Sequence, residues 1–207
     1  MVEGEIYRDE RITTITNSYD IDFTKKNRLM IDIYIWKDKL AQDLRTLKKR
    51  AIQRNWFERP IVLFERELIL IFFSIRVLIE AKKISSKTWN KQYNCMAFPN
   101  KGKIVDDWTK YHFDELFDLD SGEEKRYSLK FLTNQFVHAY AIFTEFTEEG
   151  EIVGVLLFSD REKQNFIIQM RLDTAIEIVE DVISDEYTNF VIERDPKTGE
   201  RKKLERN

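Results

Sequence analysis

The fold is decided by one stretch of the sequence, Leu68-Ile69-Leu70-Ile71-Phe72-Phe73-Ser74-Ile75-Arg76-Val77-Leu78-Ile79. Only Ser74 and Arg76 interrupt this apolar run, and Pro60 before it stands where a helix can begin. A helix that is apolar nearly all round belongs in the middle of a bundle. The run is also shorter than the roughly 20 residues that span a bilayer. It therefore predicts a buried central helix over 61–83 and no membrane segment.

A second long helix is predicted before this one, over residues 27–57. Its apolar residues recur by threes and fours, as on one face of an amphipathic helix. Lysine and arginine occupy the other face. The apolar positions are Leu29, Ile33, Trp36, Leu40, Leu44, Leu47 and Ala51. These two helices predict a helical bundle.

The pattern changes after residue 140. Three short β-rich runs, Tyr140–Thr147, Ile152–Ser159 and Phe166–Leu172, are separated by polar turns, which is typical of an antiparallel meander. A further helix is predicted over 174–190. Between the bundle and the meander we expect an irregular segment at 84–108, a short helix near 110–119 and a helix over 123–138.

These elements predict an α+β fold, mainly a helical bundle, with a C-terminal three-stranded antiparallel meander and a closing helix. The expected organisation is a polar N-terminal segment at 1–24, a single domain at 25–190 and a charged tail at 191–207. Because the tail holds almost no apolar residues, it is predicted to be disordered.

Charge is distributed unevenly along the chain, although the net charge is only −3. Residues 25–103 hold 19 Lys and Arg against 7 Asp and Glu, whereas residues 104–190 hold 7 against 20. This asymmetry indicates an anionic partner for the basic half, or contact between copies of the chain in a homodimer. The alternative is that charged faces only keep the helices in solution. The start of the sequence lacks the pattern of a signal peptide, so a cytoplasmic protein is expected.

Candidate functional residues lie near the end of the predicted helix 123–138. Asn134 and His138 are four residues apart, and stepping back by fours reaches Lys130 and Arg126. Residues at this spacing share one helix face. A histidine can transfer a proton near neutral pH, and the two cations could hold a phosphodiester. The alternative is a buried, hydrogen-bonded structural histidine.

Other chemistries find little support in the sequence. His112 has acidic neighbours, but spacing alone does not bring His138 beside it, so no metal site is predicted. The glycines do not cluster into a phosphate-binding loop. Cys95, the single cysteine, lies in a segment without a catalytic motif. No cofactor is expected.

The helical core, the second helix with Phe73-Ser74-Ile75-Arg76 and the later Asn-x-x-x-His helix together resemble the HEPN superfamily, the "higher eukaryotes and prokaryotes nucleotide-binding" helical domains. The resemblance covers roughly residues 27–190, although its diagnostic motif is only a few residues long. The family signature is an Arg followed after four to six residues by His, with a polar residue between them. Asn134 and His138 match the last two. The positions expected for the Arg hold Phe131, Leu132 and Thr133.

This resemblance implies an RNA-engaging protein of a bacterial defence or toxin-type system, acting as a degenerate, metal-independent endoribonuclease that pairs as a homodimer. His138 and Asn134 would be its catalytic residues. The missing cation would come from Lys130, Arg126, Arg76 or another chain, so these three are the predicted substrate-binding residues. Two alternatives stay open: a non-catalytic module that binds a protein partner, and a structural oligomer assembled through the sheet edge.

Overall fold

The computed structural model describes residues 33–54, 56–185, 190–194, 197–199 and 201–205. These residues form an α+β structure with six helices, a five-stranded antiparallel sheet and a separate two-stranded hairpin. The predicted segment 1–24 lies outside the described residues. In the described part of the chain, no helix has the length and apolarity needed to cross a membrane.

Two long helices open the described chain. Helix α1 spans Ile33–Ala51 and buries Leu40, Leu44 and Leu47, as the spacing by threes and fours predicts. Helix α2 spans Glu58–Glu80 and begins before the predicted start at residue 61. Pro60 lies in its first turn, where the backbone N–H groups have no partner within the helix, so proline is tolerated there.

The sheet contains five strands in the order β2-β1-β5-β4-β3, with every neighbouring pair antiparallel. Strands β3 (Ala139–Phe146), β4 (Ile152–Ser159) and β5 (Phe166–Arg171) are the three predicted runs. The expectation of a three-stranded sheet was wrong, because β1 (Gln92–Pro99) and β2 (Glu123–Ser128) extend it beyond β5.

Both additional strands were predicted as something else. β1 lies in the segment expected to be irregular, which also holds the short helix α3 (Ser86–Asn90). β2 occupies the first part of the predicted helix 123–138. It pairs along its length with β1, from Gln92 opposite Ser128 to Ala97 opposite Glu123. Its charged residues suit the exposed edge of a sheet as well as a helix surface.

Three further helices complete the structure. Helix α4 spans Phe113–Leu116, within the predicted short helix near 110–119. Helix α5 spans Leu129–Val137, and helix α6 spans Leu172–Ser184 in place of the predicted 174–190. In the tail predicted to be disordered, β6 (Phe190–Arg194) and β7 (Arg201–Glu205) pair as an antiparallel hairpin. The prediction of disorder does not describe these two strands.

The sheet is covered on both faces. The larger core packs α1, α2, α5 and α6 against one face, and the ring of Phe72 on α2 stacks on that of Phe136 on α5 with centroids 3.9 Å apart. The smaller core lies on the other face, where the segment 105–117 packs against strand residues. Its buried members are Phe98, Val105, Leu116, Phe117, Leu156, Phe158 and Ile167. The sheet is therefore a middle layer, and α5 lies at its helical face.

Candidate functional site: a cleft beside helix α5

Helix α5 presents two different faces. Ser128 begins the helix as an N-cap, since its side chain accepts a hydrogen bond from the Phe131 backbone N–H at 3.2 Å. Leu129, Leu132 and Phe136 are buried in the larger core. The opposite face carries four residues. Most of their separations in the sequence are three, four or seven residues, and residues at these separations lie on one side of a helix. They are Phe131, Asn134, Gln135 and His138.

These four residues form one wall of an open cleft of about 410 Å³. Helix α2 contributes Arg76, the end of β4 contributes Ser159, and the turn between β4 and β5 contributes Asp160, Arg161 and Glu162. A backbone hydrogen bond holds this turn against the end of α5, since the Asp160 N–H donates to the His138 carbonyl at 3.1 Å. The volume lies in the range of small-molecule sites, which is about 300–1,000 Å³.

Arg76 is held in a fixed position in the cleft. Its guanidinium donates to Asn134 Oδ1 at 2.6 Å and pairs with Glu80 at 2.5 Å. The Arg76 side chain is only 21% exposed, so its charge is partly shielded from solvent. The amide of Asn134 therefore orients Arg76, which lies 58 residues away in the sequence.

His138 is the C-cap of α5, and its backbone N–H donates to the Asn134 carbonyl at 3.0 Å. The residue is exposed at the rim of the cleft. The alternative of a buried structural histidine was therefore wrong. An exposed imidazole in a polar cleft has a free path for exchanging a proton with a ligand or with water.

The predicted stripe of four residues is broken in the structure. Arg126 lies on strand β2, opposite Asn94 of β1, and is exposed away from α5. Lys130 is on α5, but its ammonium lies 5.8 Å from the centre of the Trp89 ring. Neither residue lines the cleft. The helical prediction failed because residues 123–128 pair with β1, a long-range contact that spacing does not reveal.

Arg161 is a cleft residue that the sequence reading missed. It is exposed and belongs to the polar run Asp160-Arg161-Glu162-Lys163, whose composition predicts only a turn. Its acidic neighbours have other partners: Asp160 accepts from Lys163 at 2.7 Å and raises the pKa of that lysine, and Glu162 accepts from Asn165 at 3.0 Å. Arg161 therefore provides a guanidinium that is available to an anion.

Gln135 is the second residue that was missed. It lies in the cleft wall with only 4% of its surface exposed. Its Oε1 is buried and has no hydrogen-bond partner among the described residues. Buried amide oxygens nearly always have a partner. The sequence signal is weak, because Gln135 directly follows Asn134 and cannot be distinguished from a second polar residue of the same motif.

The cleft thus brings together two guanidiniums, two carboxylates, an imidazole, two amides, a hydroxyl and an aromatic ring. Within the described part of the chain, no group of three or more His, Cys, Asp or Glu side chains is placed to hold a metal ion. Comparison of the chain with protein-family models, with curated proteins and with solved structures returned no match. The chemistry of the cleft therefore follows from its own residues.

Proposed function

We propose that this chain engages RNA at the α5 cleft and acts there as a HEPN-like, metal-independent endoribonuclease. The observation that supports the proposal is the meeting of Arg76, Asn134 and His138 with Arg161 around one open cleft. Two guanidiniums match the charge and geometry of a phosphodiester. An exposed imidazole at the rim suits proton transfer. A HEPN-like helical bundle, with the sheet added to it, is part of this proposal.

The reaction follows from these groups. The imidazole of His138 takes the proton of a ribose 2′-hydroxyl, and the 2′-oxygen attacks the adjacent phosphorus. The bond from phosphorus to the 5′-oxygen breaks, that oxygen takes a proton from water, and the hydroxide left behind takes the proton that His138 accepted. The products are a 2′,3′-cyclic phosphate and a 5′-hydroxyl end. Arg161 binds the phosphate oxygens, while Arg76, held by Asn134, stabilises the charge that develops in the transition state.

Separate substitution of each histidine provides the direct test, because the chain has only two histidines. Labelled single-stranded RNA is incubated with excess chelator, and its ends are analysed for cyclic phosphate. His138→Ala is expected to lower the cleavage rate by about 10²-fold or more. The control is His112→Ala, which changes an exposed residue outside the cleft and should leave the rate unchanged. Equal rates for the two variants, with equal melting temperatures, contradict the assignment of His138.

Binding is tested separately from cleavage. For single strands, each phosphate contact contributes about 0.7 to the slope of log affinity against log salt concentration. Arg161→Gln is expected to reduce the magnitude of that slope by about 0.7. Arg126→Gln is the matched control, because it removes the same charge from strand β2 outside the cleft. A larger change for Arg126 than for Arg161 would move the RNA site to the edge of the sheet.

A second candidate function, homodimer formation, is favoured by an observation on α2. Val62, Leu70 and Phe73 are 54%, 42% and 48% exposed, and they lie on one stripe of the helix with Arg66. Arg66 and Glu80 each stand seven residues from Phe73. Antiparallel pairing of two α2 helices about a two-fold axis at Phe73 therefore sets Arg66 of each copy opposite Glu80 of the other.

Sedimentation at micromolar concentration tests this association. Phe73→Glu places a charge at the centre of the stripe and is expected to give a monomer. Trp108→Glu serves as the control, since Trp108 is an aromatic residue that is 88% exposed outside α2. A wild-type chain that sediments as a monomer at low salt excludes the dimer. Dimer formation without RNA binding would favour a non-catalytic oligomerisation module.

A further inference from the structure

Residues 104–111 form an exposed aromatic turn that the proposed cleavage does not use. Ile104, Trp108 and Tyr111 in this turn are 73%, 88% and 69% exposed. Trp108 is the only one of the four tryptophans that is exposed, and the structure describes all four. Large apolar side chains clustered on a surface mark a site of interaction with another molecule. The aromatic turn is therefore a candidate binding surface.

Hydrogen bonds within the turn fix the backbone that carries Trp108. The Asp106 carboxylate accepts from the backbone N–H groups of Trp108 and Thr109 at 2.9 and 3.0 Å. The Thr109 hydroxyl donates to the Ile104 carbonyl at 3.0 Å and accepts from the Asp106 N–H at 3.0 Å. Because this backbone is already ordered, less conformational entropy is lost when the indole ring binds a ligand.

The aromatic turn is attached to the β4–β5 turn, which lines the cleft. The Gln164 amide holds Val105 in both directions, since its Nε2 donates to the Val105 carbonyl at 2.9 Å and its Oε1 accepts from the Val105 N–H at 3.2 Å. The Lys163 ammonium lies 3.8 Å from the centre of the Tyr140 ring, and the Tyr140 hydroxyl donates to Asp107 at 2.8 Å. A continuous surface therefore leads from the cleft to the aromatic turn.

The chemistry of this surface fits an unpaired nucleic-acid strand. Asp107 pairs with Lys110 at 2.9 Å and Asp160 pairs with Lys163 at 2.7 Å, which reduces the repulsion of a phosphate backbone by these carboxylates. Proteins bind single strands with open aromatic rings beside cationic groups, and a base of any type can stack on such a ring. A base within a duplex is already stacked on both faces, so only an unpaired strand offers a free face.

We propose that single-stranded RNA bound in the cleft continues over the β4–β5 turn onto the aromatic turn, where Trp108 stacks on an unpaired base; this rests on the proposed function. The substrate is then an unpaired strand that extends beyond the cleft. Stacking neutralises no phosphate and releases no counterions, so the affinity that Trp108 contributes does not depend on salt concentration. The affinity contributed by Arg161 does depend on it.

The experiment measures fluorescence anisotropy of a labelled 2′-O-methyl uridine dodecamer over a range of salt concentrations. This strand cannot be cleaved, because its 2′-oxygens are blocked. Trp108→Ala is expected to weaken binding by about tenfold at every salt concentration, within the range for one stacked base. Trp108→Phe keeps an aromatic ring and should keep most of the affinity. The matched control is Phe57→Ala, which removes an aromatic residue that is 65% exposed at the start of α2 and should change nothing.

Two further measurements test the stacking itself. The dodecamer annealed to its complement should bind the wild type and Trp108→Ala equally, because the duplex offers no free base face. On the wild type, the single strand should protect the exposed indole from acrylamide quenching of its fluorescence. This second measurement does not depend on any variant. Unchanged quenching at a saturating concentration of the dodecamer overturns the stacking of Trp108.

The outcomes separate this inference from the function beneath it. Binding that depends on Arg161 but is equal for the wild type and Trp108→Ala overturns the inference and leaves the proposed function intact; the aromatic turn then serves a protein partner. An equal loss for Phe57→Ala also overturns it. Dependence on Trp108 without dependence on Arg161 rejects the path from the cleft. No binding of the dodecamer to the wild type rejects both proposals.

Discussion

Replacing Phe72 with alanine should destabilise the protein far more than replacing Phe73, its neighbour on the same helix. Phe72 is 0% exposed, and its ring lies parallel to that of Phe136 at 3.9 Å, with an angle of 5° between the planes. Phe73 is 48% exposed. The two substitutions remove the same atoms from adjacent positions, so the comparison isolates the effect of burial.

The magnitudes follow from these exposures. Removing a fully buried phenylalanine ring costs about 3–5 kcal/mol, because the cavity left behind collapses only partly. Full burial of such a side chain contributes about 2 kcal/mol, so a ring that is half exposed loses about 1 kcal/mol. With a urea m-value of about 2 kcal/mol/M, the unfolding midpoint should fall by about 2 M for Phe72→Ala and about 0.5 M for Phe73→Ala.

The assay is urea unfolding followed by far-UV circular dichroism, at two protein concentrations tenfold apart. The m-value should stay constant, since both variants expose the same chain on unfolding. If the proposed function holds, Phe72→Ala should also weaken RNA binding, because the Phe72–Phe136 stack lies one turn from the contact between Arg76 and Asn134. Equal losses for the two variants at both concentrations would refute the assignment of Phe72 and Phe136 to the contact between α2 and α5. A loss for Phe73→Ala that grows on dilution would instead report an interface at α2.

Three further predictions concern the stability of the fold. Gly154→Ala places a Cβ about 2.3 Å from the Met170 backbone oxygen in the neighbouring strand, so it should cost about 3 kcal/mol by overpacking, measured by thermal unfolding. Asp185→Ala removes the carboxylate that accepts from the Ser85 backbone N–H at 2.9 Å and should cost about 2 kcal/mol, whereas Asp185→Asn should lose less in the same assay. Burial raises the pKa of Glu65 above its ordinary value in the folded state, so its contribution to stability is present at low pH and is lost as the pH rises through the raised pKa. Glu65→Gln should therefore raise the melting temperature at pH 7 and flatten its dependence between pH 4 and 7, and a profile parallel to that of the wild type would contradict this.

The sequence predicted those helices and strands whose hydrophobic pattern repeats within a single element. The apolar residues of α1 recur at spacings of three and four, and α2 contains a nearly continuous apolar run. Each pattern lies within one helix, so it is visible in the sequence. The same holds for the alternation and turns of β3, β4 and β5. Strand β2 was predicted as helix because its charged residues fit either an exposed helix face or an edge strand. Its pairing with β1, some 30 residues away, decides between the two.

The candidate site shows the same division. The spacing of Asn134 and His138 predicts only that they share one helix face, and the tertiary structure decides that this face lines a cleft. Spacing could not show that Asn134 binds Arg76, because that contact joins residues 58 positions apart through the packing of α2 on α5. Arg161 reaches the cleft for a similar reason, since the sheet carries the β4–β5 turn to the end of α5.

The sequence by itself determined the two long helices, the three strands of the meander and the later part of the predicted helix 123–138, which forms α5 and ends beside His138, because backbone geometry repeats over a few residues and the hydrophobic pattern follows it. The tertiary structure alone decided that the sheet has five strands, that Arg126 and Lys130 lie outside the cleft, and that Arg161 and Gln135 belong to it. These facts depend on contacts between distant segments. The free energies of those contacts come from burial shared between elements and from pairing between distant strands, and no single segment encodes them.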